Sequence, residues 1–264
     1  MSIRALNIAG TGMLAMQTNV EAISNNIANL NTTAYTRRRA EFNDLLYQDL
    51  RRVGSTSSDA GTIVPAGVQL GLGVKTAAVY RISEQGSVLS TDNSLDVAIQ
   101  GKGYFQIELP SGEIAYTRDG AFQLSAEGTI VTHNGFTVSG LGAIPVDAIS
   151  IIINPQGEVF FKQDGVVDPQ SAGQFELAVF ANEAGLDAIG DNLLLETPAS
   201  GNANAGVPGD PGFGTMLQGF LETSNVNVVQ EITELISAQR AYEMNSKVIQ
   251  TADEMSSTVS QMVR

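Results

Sequence analysis

The first thirty residues carry an uninterrupted heptad repeat, which constrains the fold more than any other feature of this sequence. Apolar side chains recur at alternating spacings of three and four residues, the pattern of a helix that packs against another helix. The positions are Leu6, Ala9, Met13, Met16, Val20, Ile23, Ile27 and Leu30. Because asparagine, glutamine and threonine lie between them, this helix has little stability of its own. The repeat therefore predicts a helix whose apolar stripe is covered by a partner.

A second stripe near the C-terminus can supply that partner. No proline or glycine occurs in residues 231–263. Heptad spacing places Ala241, Asn245, Val248, Ala252, Met255, Val259 and Met262 on one face, and Ile232, Leu235, Ile236, Gln239 and Tyr242 broaden that face upstream. Ser224 or Asn225 is expected to cap the helix. The two stripes predict a helical pair built from both termini, packed either within a monomer or at an assembly interface.

Charge separates the ends of the chain from its middle. The formal net charge of −14 arises from residues 53–223, whereas residues 1–52 sum to +2 and residues 224–264 to −2. Near-neutral ends can pack closely, while an acidic middle favours exposure to water. Arginines 37–39 form the single basic cluster, so nucleic acid is not expected as a partner.

Composition excludes several other classes of protein. The 264-residue chain has no cysteine, which excludes disulfides and thiol chemistry. No apolar run approaches the roughly 18 residues that cross a bilayer, so membrane insertion is not expected. The N-terminus also lacks the basic and apolar regions of a cleaved secretory signal.

Between the helices the sequence changes from helical to strand periodicity. A turn and a short second helix through Phe42, Leu45, Leu46 and Leu50 are expected first. Glycine, serine, threonine and aspartate then dominate residues 53–73, which predicts a loop or an extended arm. From Val74 to about Leu195, alternating runs separated by Asp-Gly, Glu-Gly, Asn-Gly and Gln-Gly turns predict an antiparallel β-domain. A loop at 199–214 and a returning strand at 216–222 complete the middle.

No set of catalytic residues is found in the sequence. His133 is the single histidine, and its Asn-Gly neighbourhood predicts an exposed hairpin turn. Gly71-Leu72-Gly73 lacks the third glycine of a dinucleotide-binding motif, and Gly101-Lys102-Gly103 lacks the remaining residues of a P-loop. Neither an enzyme nor a cofactor or metal site is therefore expected.

Three separated groups of residues carry a family signature. They are residues 24–29 with 31–39 and Phe42, residues 96–105 with 116–122, and residues 222–227 with 239–243 and 245–247. In these groups the chain resembles the axial proteins of the bacterial flagellum, and among them most closely those of the distal rod of the basal body. The Gly/Ser-rich arm at 47–65, marked by Tyr47, Gly54, Gly61 and Pro65, is similar to one that distal rod proteins carry.

The resemblance implies an α+β fold with three domains. A discontinuous, coiled-coil-like helical domain from residues 1–35 and 225–264 would form an inner tube. An intermediate domain from residues 36–95 and 196–224 would include the arm, which would stiffen the assembly. Residues 96–195 would form an outer antiparallel β-domain.

The resemblance also implies function and partners. Copies of the chain would stack helically into a hollow shaft that crosses the periplasm and transmits torque from the motor to the hook. Expected partners are the chain itself, neighbouring rod proteins, the hook protein, the ring proteins of the cell wall and outer membrane, and the flagellar type III export apparatus.

The weak helices suggest that folding is coupled to assembly. We expect both termini to be largely disordered in the monomer and to order when neighbouring copies cover the stripes. A proximal rod or hook subunit is the alternative within the family. The alternative from a different class is a non-polymerising, β-rich module that binds a glycan or peptide and is carried on a helical stalk. An enzyme is the least favoured alternative, because the sequence offers no catalytic set.

Overall fold

A computed structural model describes residues 2–51, 66–163 and 168–262 of the chain. Both predicted terminal helices are present, as α1 (Ser2–Ala28) and α2 (Val228–Met262). The helices pack together, and antiparallel sheets lie between them in the sequence. The expected α+β fold with a helical pair from both termini is confirmed.

The chain divides into two compact units. The helical unit comprises Met1–Ala28, Arg38–Arg81 and Asn227–Arg264, and the β unit comprises Asn29–Arg37 and Ile82–Val226. The chain therefore passes from one unit to the other four times. The three-domain division drawn from the resemblance stays a prediction.

Short strands make up most of the described middle of the chain. Those of the helical unit are β1 (Arg38–Asp44), β2 (Tyr47–Arg51), β3 (Val68–Gly71) and β4 (Val74–Arg81). Those of the β unit are β5 (Val88–Ser90), β6 (Val97–Gln100), β7 (Tyr104–Glu108), β8 (Ile114–Thr117), β9 (Gln123–Leu124), β10 (Ile130–Val131), β11 (Thr137–Val138), β12 (Ala148–Ile153), β13 (Glu158–Gln163), β14 (Gln170–Gln174), β15 (Leu177–Val179), β16 (Asp187–Gly190), β17 (Leu193–Leu195), β18 (Asn204–Gly206), β19 (Thr215–Gln218) and β20 (Phe220–Glu222). A single 3₁₀ turn, Glu183–Gly185, lies between β15 and β16.

Two contacts define how α1 and α2 pack. Asn26 donates a hydrogen bond from Nδ2 to Oε2 of Glu231 at 3.0 Å. A Cβ atom on Gly12 would lie 2.9 Å from Nδ2 of Asn245. Gly12 and Asn26 are fourteen residues apart in α1, and Glu231 and Asn245 are fourteen residues apart in α2. Since both helices rise about 1.5 Å per residue, they run antiparallel and stay in register over that span.

A two-stranded sheet also packs against α1. Strand β1 pairs with β4 in antiparallel orientation, with a bulge between Glu41 and Phe42, and α1 contacts both strands. Thr11 of α1 accepts a hydrogen bond on Oγ1 from the Val74 backbone N–H at 3.4 Å. α1 therefore contacts both α2 and the β1–β4 pair.

Strand β7 forms the centre of the β unit. It belongs to a nine-stranded sheet in which β16, β17, β8, β7, β11, β10 and β9 are successive neighbours, and β15 pairs with both β7 and β18. One face of β7 contributes Phe105 to a cluster with Phe122 and Phe175, at ring centroid distances of 5.1 and 5.7 Å. The opposite face contributes Tyr104 to a second buried cluster. The first four residues of β7 are therefore all buried, without the alternation of a strand that has one face in water.

The remaining strands of the β unit form smaller antiparallel sheets. Strands β12, β13 and β14 make one sheet, and β19 and β20 pair with β6 and β5 respectively. The expected strand at 216–222 is thus two strands, interrupted at Gly219, which has φ +78°. This left-handed backbone is well tolerated by glycine, and the break lets consecutive segments pair with different partners.

The helix predicted through Phe42 and Leu50 is wrong. Residues 38–44 and 47–51 are strands β1 and β2, which pair with β4 and β3. Spacings of three and four residues occur here by chance. Strand pairing across the chain overrides this weak local pattern, as is common for short segments.

Other local expectations are confirmed in part. The turns at Gly128, Gly135 and Gly157 have φ near +80°, as the sequence predicted, whereas the turn expected at 164–165 lies outside the described residues. Neither Ser224 nor Asn225 caps α2. Asn227 does so, accepting on Oδ1 from the backbone N–H groups of residues 229 and 230. The loop expected at 199–214 contains strand β18, and the one at 53–73 contains β3.

The close approach of Gly12 to Asn245 can be tested with a matched substitution. Gly10→Ala should raise the free energy of unfolding by about 1 kcal/mol, because alanine favours a helix over glycine and a Cβ at Gly10 meets nothing within 4 Å. Gly12→Ala should not raise the free energy of unfolding in this way, because its Cβ would lie too close to the Asn245 side chain. Denaturant unfolding followed by far-ultraviolet circular dichroism measures both values.

A double variant separates contact from propensity. Combining Gly12→Ala with Asn245→Ala should show a positive coupling energy, because the smaller side chain removes the contact. Equal stabilisation by Gly10→Ala and Gly12→Ala would contradict the antiparallel register.

Candidate assembly surface

The predicted stripe of α1 is largely covered within the chain. Ala9 and Ile23 are buried. The positions Leu6, Met13, Met16, Val20 and Ile27 are half-buried, as is Leu30, which follows the last residue of the helix. In contrast, Leu14 lies on the opposite side of α1 and is 66% exposed. The N-terminal stripe thus faces α2 and the β1–β4 pair, and α1 retains some apolar surface.

The predicted stripe of α2 divides into two classes. Ala252 is buried, and Leu235, Ala241 and Asn245 are half-buried. The larger apolar positions are exposed: Ile232 45%, Tyr242 44%, Val248 45%, Met255 59%, Val259 61% and Met262 86%. Ile236 at 46%, Val229 at 76% and Met244 at 66% extend this surface. We call these exposed apolar residues of α2 the outer stripe.

The face of α2 that packs within the chain uses smaller and more polar residues. Glu231, Ala238 and Ala252 are its buried residues, and together with Asn245 they recur every seven positions. Ala15 and Ala22 are buried on α1. Small side chains let two helices approach closely, as Gly12 and Asn245 do. Sequence reasoning included Asn245 and Ala252 in the predicted stripe but missed Glu231 and Ala238, because it ranked positions by hydrophobicity, although the spacing of seven was visible.

A buried polar cluster lies at the start of α2. Asn26 is 1% exposed and Glu231 is 2% exposed. Besides its bond to Glu231, the Asn26 side chain accepts from the Arg38 backbone N–H and donates to the Arg38 carbonyl oxygen, both at 2.8 Å. One amide side chain therefore joins α1, α2 and the first residue of β1. Buried polar groups satisfied in this way specify one arrangement of the elements.

The base of the predicted arm is a β-hairpin with apolar side chains in solvent. All residues of β2 and all but one of β3 are exposed. Leu46 is 82% exposed, Tyr47 58% and Leu50 55%. A hydrogen bond to the Asp44 carboxylate raises the pKa of the Tyr47 hydroxyl. Gly54, Gly61 and Pro65 lie outside the described residues.

The basic segment at 37–39 is partly neutralised on the β1–β4 pair. Arg39 contacts Glu41 at 3.2 Å and donates to the Tyr80 hydroxyl, which donates to Glu41 at 2.7 Å. Hydrogen bonds from Tyr80 and then from Arg39 lower the pKa of Glu41, and hydrogen bonds to Tyr80 and then to Glu41 raise the pKa of Arg39. Because these groups are exposed, their pairing adds little stability; it keeps this surface near neutrality.

A small cleft in the β unit surrounds the single histidine. Its volume is about 220 Å³, and its lining includes Thr117, Asp119, His133, Asp191 and Asn192. Burial raises the pKa of Asp119, although the bond from the backbone N–H of residue 121 opposes this shift. His133 is exposed in a turn, as expected. The cleft is smaller than the roughly 300–1,000 Å³ usual for small-molecule sites.

The described residues contain neither a metal site nor a membrane-spanning helix. No cluster of three or more histidine, aspartate or glutamate side chains in that part of the chain could hold a metal ion. None of the described helices combines the length and hydrophobicity that a membrane span requires.

Three family models match successive parts of the chain. "Flagella basal body rod protein" matches residues 6–36, "Flagellar hook protein FlgE/F/G D1 domain" matches residues 98–161, and "Flagellar basal body rod FlgEFG protein C-terminal" matches residues 217–262. The first and last matches cover most of α1 and α2. The middle match covers the centre of the β unit.

Full-length relatives give the same result. The flagellar basal-body rod protein FlgG of Caulobacter vibrioides is 58% identical over 98% of this chain and 99% of its own length. The FlgG proteins of Agrobacterium fabrum and Bacillus subtilis are 53% and 40% identical, over 99% and 96% of this chain and 100% and 96% of their own lengths. The chain therefore belongs to the FlgG family of flagellar basal-body rod proteins.

Proposed function

We propose that copies of this chain polymerise through their terminal helices into a hollow shaft that crosses the periplasm and transmits torque from the motor to the hook. The chain is a structural, non-enzymatic subunit of the flagellar basal-body distal rod. Its family removes the alternatives of a proximal rod subunit, a hook subunit and a stalked binding module. The observation that carries the polymerisation proposal is the outer stripe of α2.

The outer stripe consists of nine exposed, large apolar side chains along α2, more than a helix that faces only water is expected to carry. Within the chain α2 buries small residues and leaves its large ones exposed, from Val229 to Met262. Burial of one large apolar side chain contributes about 1.5–3 kcal/mol, so a neighbouring helix that covers the stripe would be strongly stabilised. Exposed apolar patches of this kind mark interaction surfaces.

Charge favours contact through the helical unit rather than the β unit. By sequence the helical unit has ten basic and ten acidic residues, whereas the β unit has four basic and eighteen acidic residues. The whole net charge of −14 therefore belongs to the β unit. Identical copies can bring neutral helical units together without repulsion, while acidic β units favour positions in contact with water.

The proposed partners rest on the likeness to flagellar rod proteins together with this division of charge. The helical units would contact other copies of the chain and, at the two ends of the shaft, neighbouring rod proteins and the hook protein. The β units would face the surrounding ring proteins of the cell wall and outer membrane. The type III export apparatus would deliver the subunit.

Folding of the terminal helices coupled to assembly stays a prediction, and hydrogen exchange on the soluble protein tests it. In the monomer we expect amides of 2–28 and 228–262 to exchange much faster than those of β7 and β8, because the outer stripe is uncovered. In the polymer the same helical amides should become protected. Slow exchange of the helices in a monomer would contradict coupled folding.

A charge placed on the outer stripe should prevent polymerisation. Val248 is 45% exposed, so Val248→Asp should leave the subunit folded yet require a carboxylate to be buried in the apolar contact, at a cost of several kcal/mol. We expect the critical concentration for assembly to rise at least about 100-fold, as measured by sedimentation. Val20→Asp, at a half-buried position of α1, should also block polymerisation, but by destabilising the helical pair while the β unit stays folded.

Gln250→Asp is the matched control. It introduces the same charge two residues away on an exposed position of α2 that is not part of the outer stripe. Normal assembly of Val248→Asp, or equal loss of assembly in Gln250→Asp, would show that the outer stripe is not the interface.

We propose a second role for the arm, which would lock neighbouring subunits and stiffen the shaft. An isolated two-stranded hairpin is marginally stable in water, and the exposed Leu46, Tyr47 and Leu50 would be covered if the hairpin lay against another copy. Contacts that reach beyond the helices would resist bending.

Replacement of residues 52–65 by a two-residue turn tests the arm, because it keeps β2 and β3 but removes the reach of the loop. We expect the polymers to form and to bend, with a persistence length several-fold shorter in electron micrographs. Polymers as straight as those of the unaltered protein would contradict a stiffening role.

A further inference from the structure

The β unit is joined to the rest of the chain at four points, after residues 28, 37, 81 and 226. Torque passed along the backbone between the units must travel through these connections. How firmly their ends are held within the β unit therefore bears on the stiffness of each subunit. The Asn225 side chain lies at the point where three of them meet.

Asn225 uses its whole amide group to bind two other segments. Its Oδ1 accepts from the Arg37 backbone N–H at 2.7 Å, and its Nδ2 donates to the carbonyl oxygens of Ile82 and Glu84 at 3.0 and 2.9 Å. The Ile82 N–H also donates to the Arg37 carbonyl oxygen at 3.0 Å. Arg37, Ile82 and Asn225 each lie beside a connection, so one side chain holds three of the four connections together.

Backbone contacts reinforce this arrangement on both sides of Asn225. The Asn225 N–H donates to the Tyr35 carbonyl oxygen at 3.3 Å, and the Ala34 N–H donates to the Glu222 carbonyl oxygen at 2.9 Å. Thr223 donates from its N–H and from Oγ1 to the Ser87 carbonyl oxygen, at 2.8 and 2.9 Å. The outgoing and returning segments are thus bonded to each other along several residues.

A buried ion pair anchors the same segments to the centre of the β unit. Arg118 Nε donates to Glu222 Oε2 at 2.9 Å, and the two side chains are 11% and 4% exposed. The Gly86 N–H donates to Glu222 Oε1 at 2.9 Å. Arg118 also donates to the carbonyl oxygens of Gly101 and Gly103, at 3.0 and 3.3 Å. With its oxygens and donors satisfied, the pair is a fixed structural point.

We infer that Asn225 is a positioning residue of the shaft: it fixes the connections of the β unit so that the subunit twists little under load. This role rests on the proposed function of the polymer as a torque-bearing shaft. A hinge needs a few residues free to change their backbone angles. The bonds of Asn225 remove that freedom where the chain leaves and re-enters the β unit.

Asn225→Asp is the informative variant. It keeps the size of the side chain and the acceptor for the Arg37 N–H, but it replaces two donors by a carboxylate oxygen facing the carbonyl oxygens of Ile82 and Glu84. The resulting repulsion should free the connections without disturbing the buried core. Asn134→Asp makes the same chemical change at an exposed turn of the β unit and serves as the control.

The absence of cysteine allows site-specific spin labels. Labels on Ala77→Cys, in the helical unit, and Ser111→Cys, in the β unit, report motion between the units through the width of their distance distribution. A label pair on Ser111→Cys and Asn202→Cys reports the β unit alone. All three positions lie in exposed parts of the chain.

We expect Asn225→Asp to make the distance distribution between labels at 77 and 111 roughly twofold wider. The distribution between labels at 111 and 202 should stay unchanged, and Asn134→Asp should change neither distribution. An unchanged first distribution in Asn225→Asp, or one already as wide in the unaltered protein, would overturn the inference. Widening of the distribution between labels at 111 and 202 would also overturn the inference, because it would show that Asn225 stabilises the β unit as a whole. Since the labels are read on soluble subunits, failure to polymerise, assayed separately by sedimentation, would count against the shaft alone.

Discussion

The hydrogen bond between Asn26 and Glu231 is the contact on which the helical unit depends. It is buried, it joins residues 205 positions apart in the sequence, and it fixes the register of α1 against α2. A carboxylate at this depth is tolerated only when its partners are in place. Because Asn26 also binds both backbone groups of Arg38, the start of the β1–β4 sheet is fixed by the same side chain. The chain can leave the helices, form a separate β unit and return without loss of register.

This register decides which side chains remain for other contacts. Small residues such as Gly12, Ala238 and Ala252 lie where the helices approach each other, so most large apolar residues of α2 are left outside. A helix stabilised only from one side keeps an apolar surface that water disfavours. The intramolecular pair therefore creates the outer stripe as a consequence of its close packing. The packing of α1 against α2 therefore fixes the fold of one subunit and also leaves exposed the surface that we propose contacts the next subunit.

Heptad spacing was enough to predict both helices and that each would pack against a partner, but it left open whether they pair within one chain. It could not predict which face turns inward. The predicted stripe included Val248 and Met255 but not Glu231, yet Glu231 is buried and hydrogen-bonded to Asn26 of α1. Turn residues such as Gly135 and Gly157 were readable for a local reason, their left-handed backbone. Strand β2, which contains Leu50, could not be predicted in this way. Its partner β3 is separated from it by a long stretch of sequence, and strand pairing is not encoded locally.

The division of charge can be understood from the demands of a homopolymer. In an assembly of identical copies, every uncompensated charge at a contact is repeated at each step, so repulsion accumulates with length. A contact unit must therefore balance its charges, as the helical unit does with ten residues of each sign. No such constraint acts on a unit that faces water, and the β unit carries the full −14. Hydrogen bonds within the β unit, such as those of the Asn225 side chain, join the ends of its connections without using charged groups.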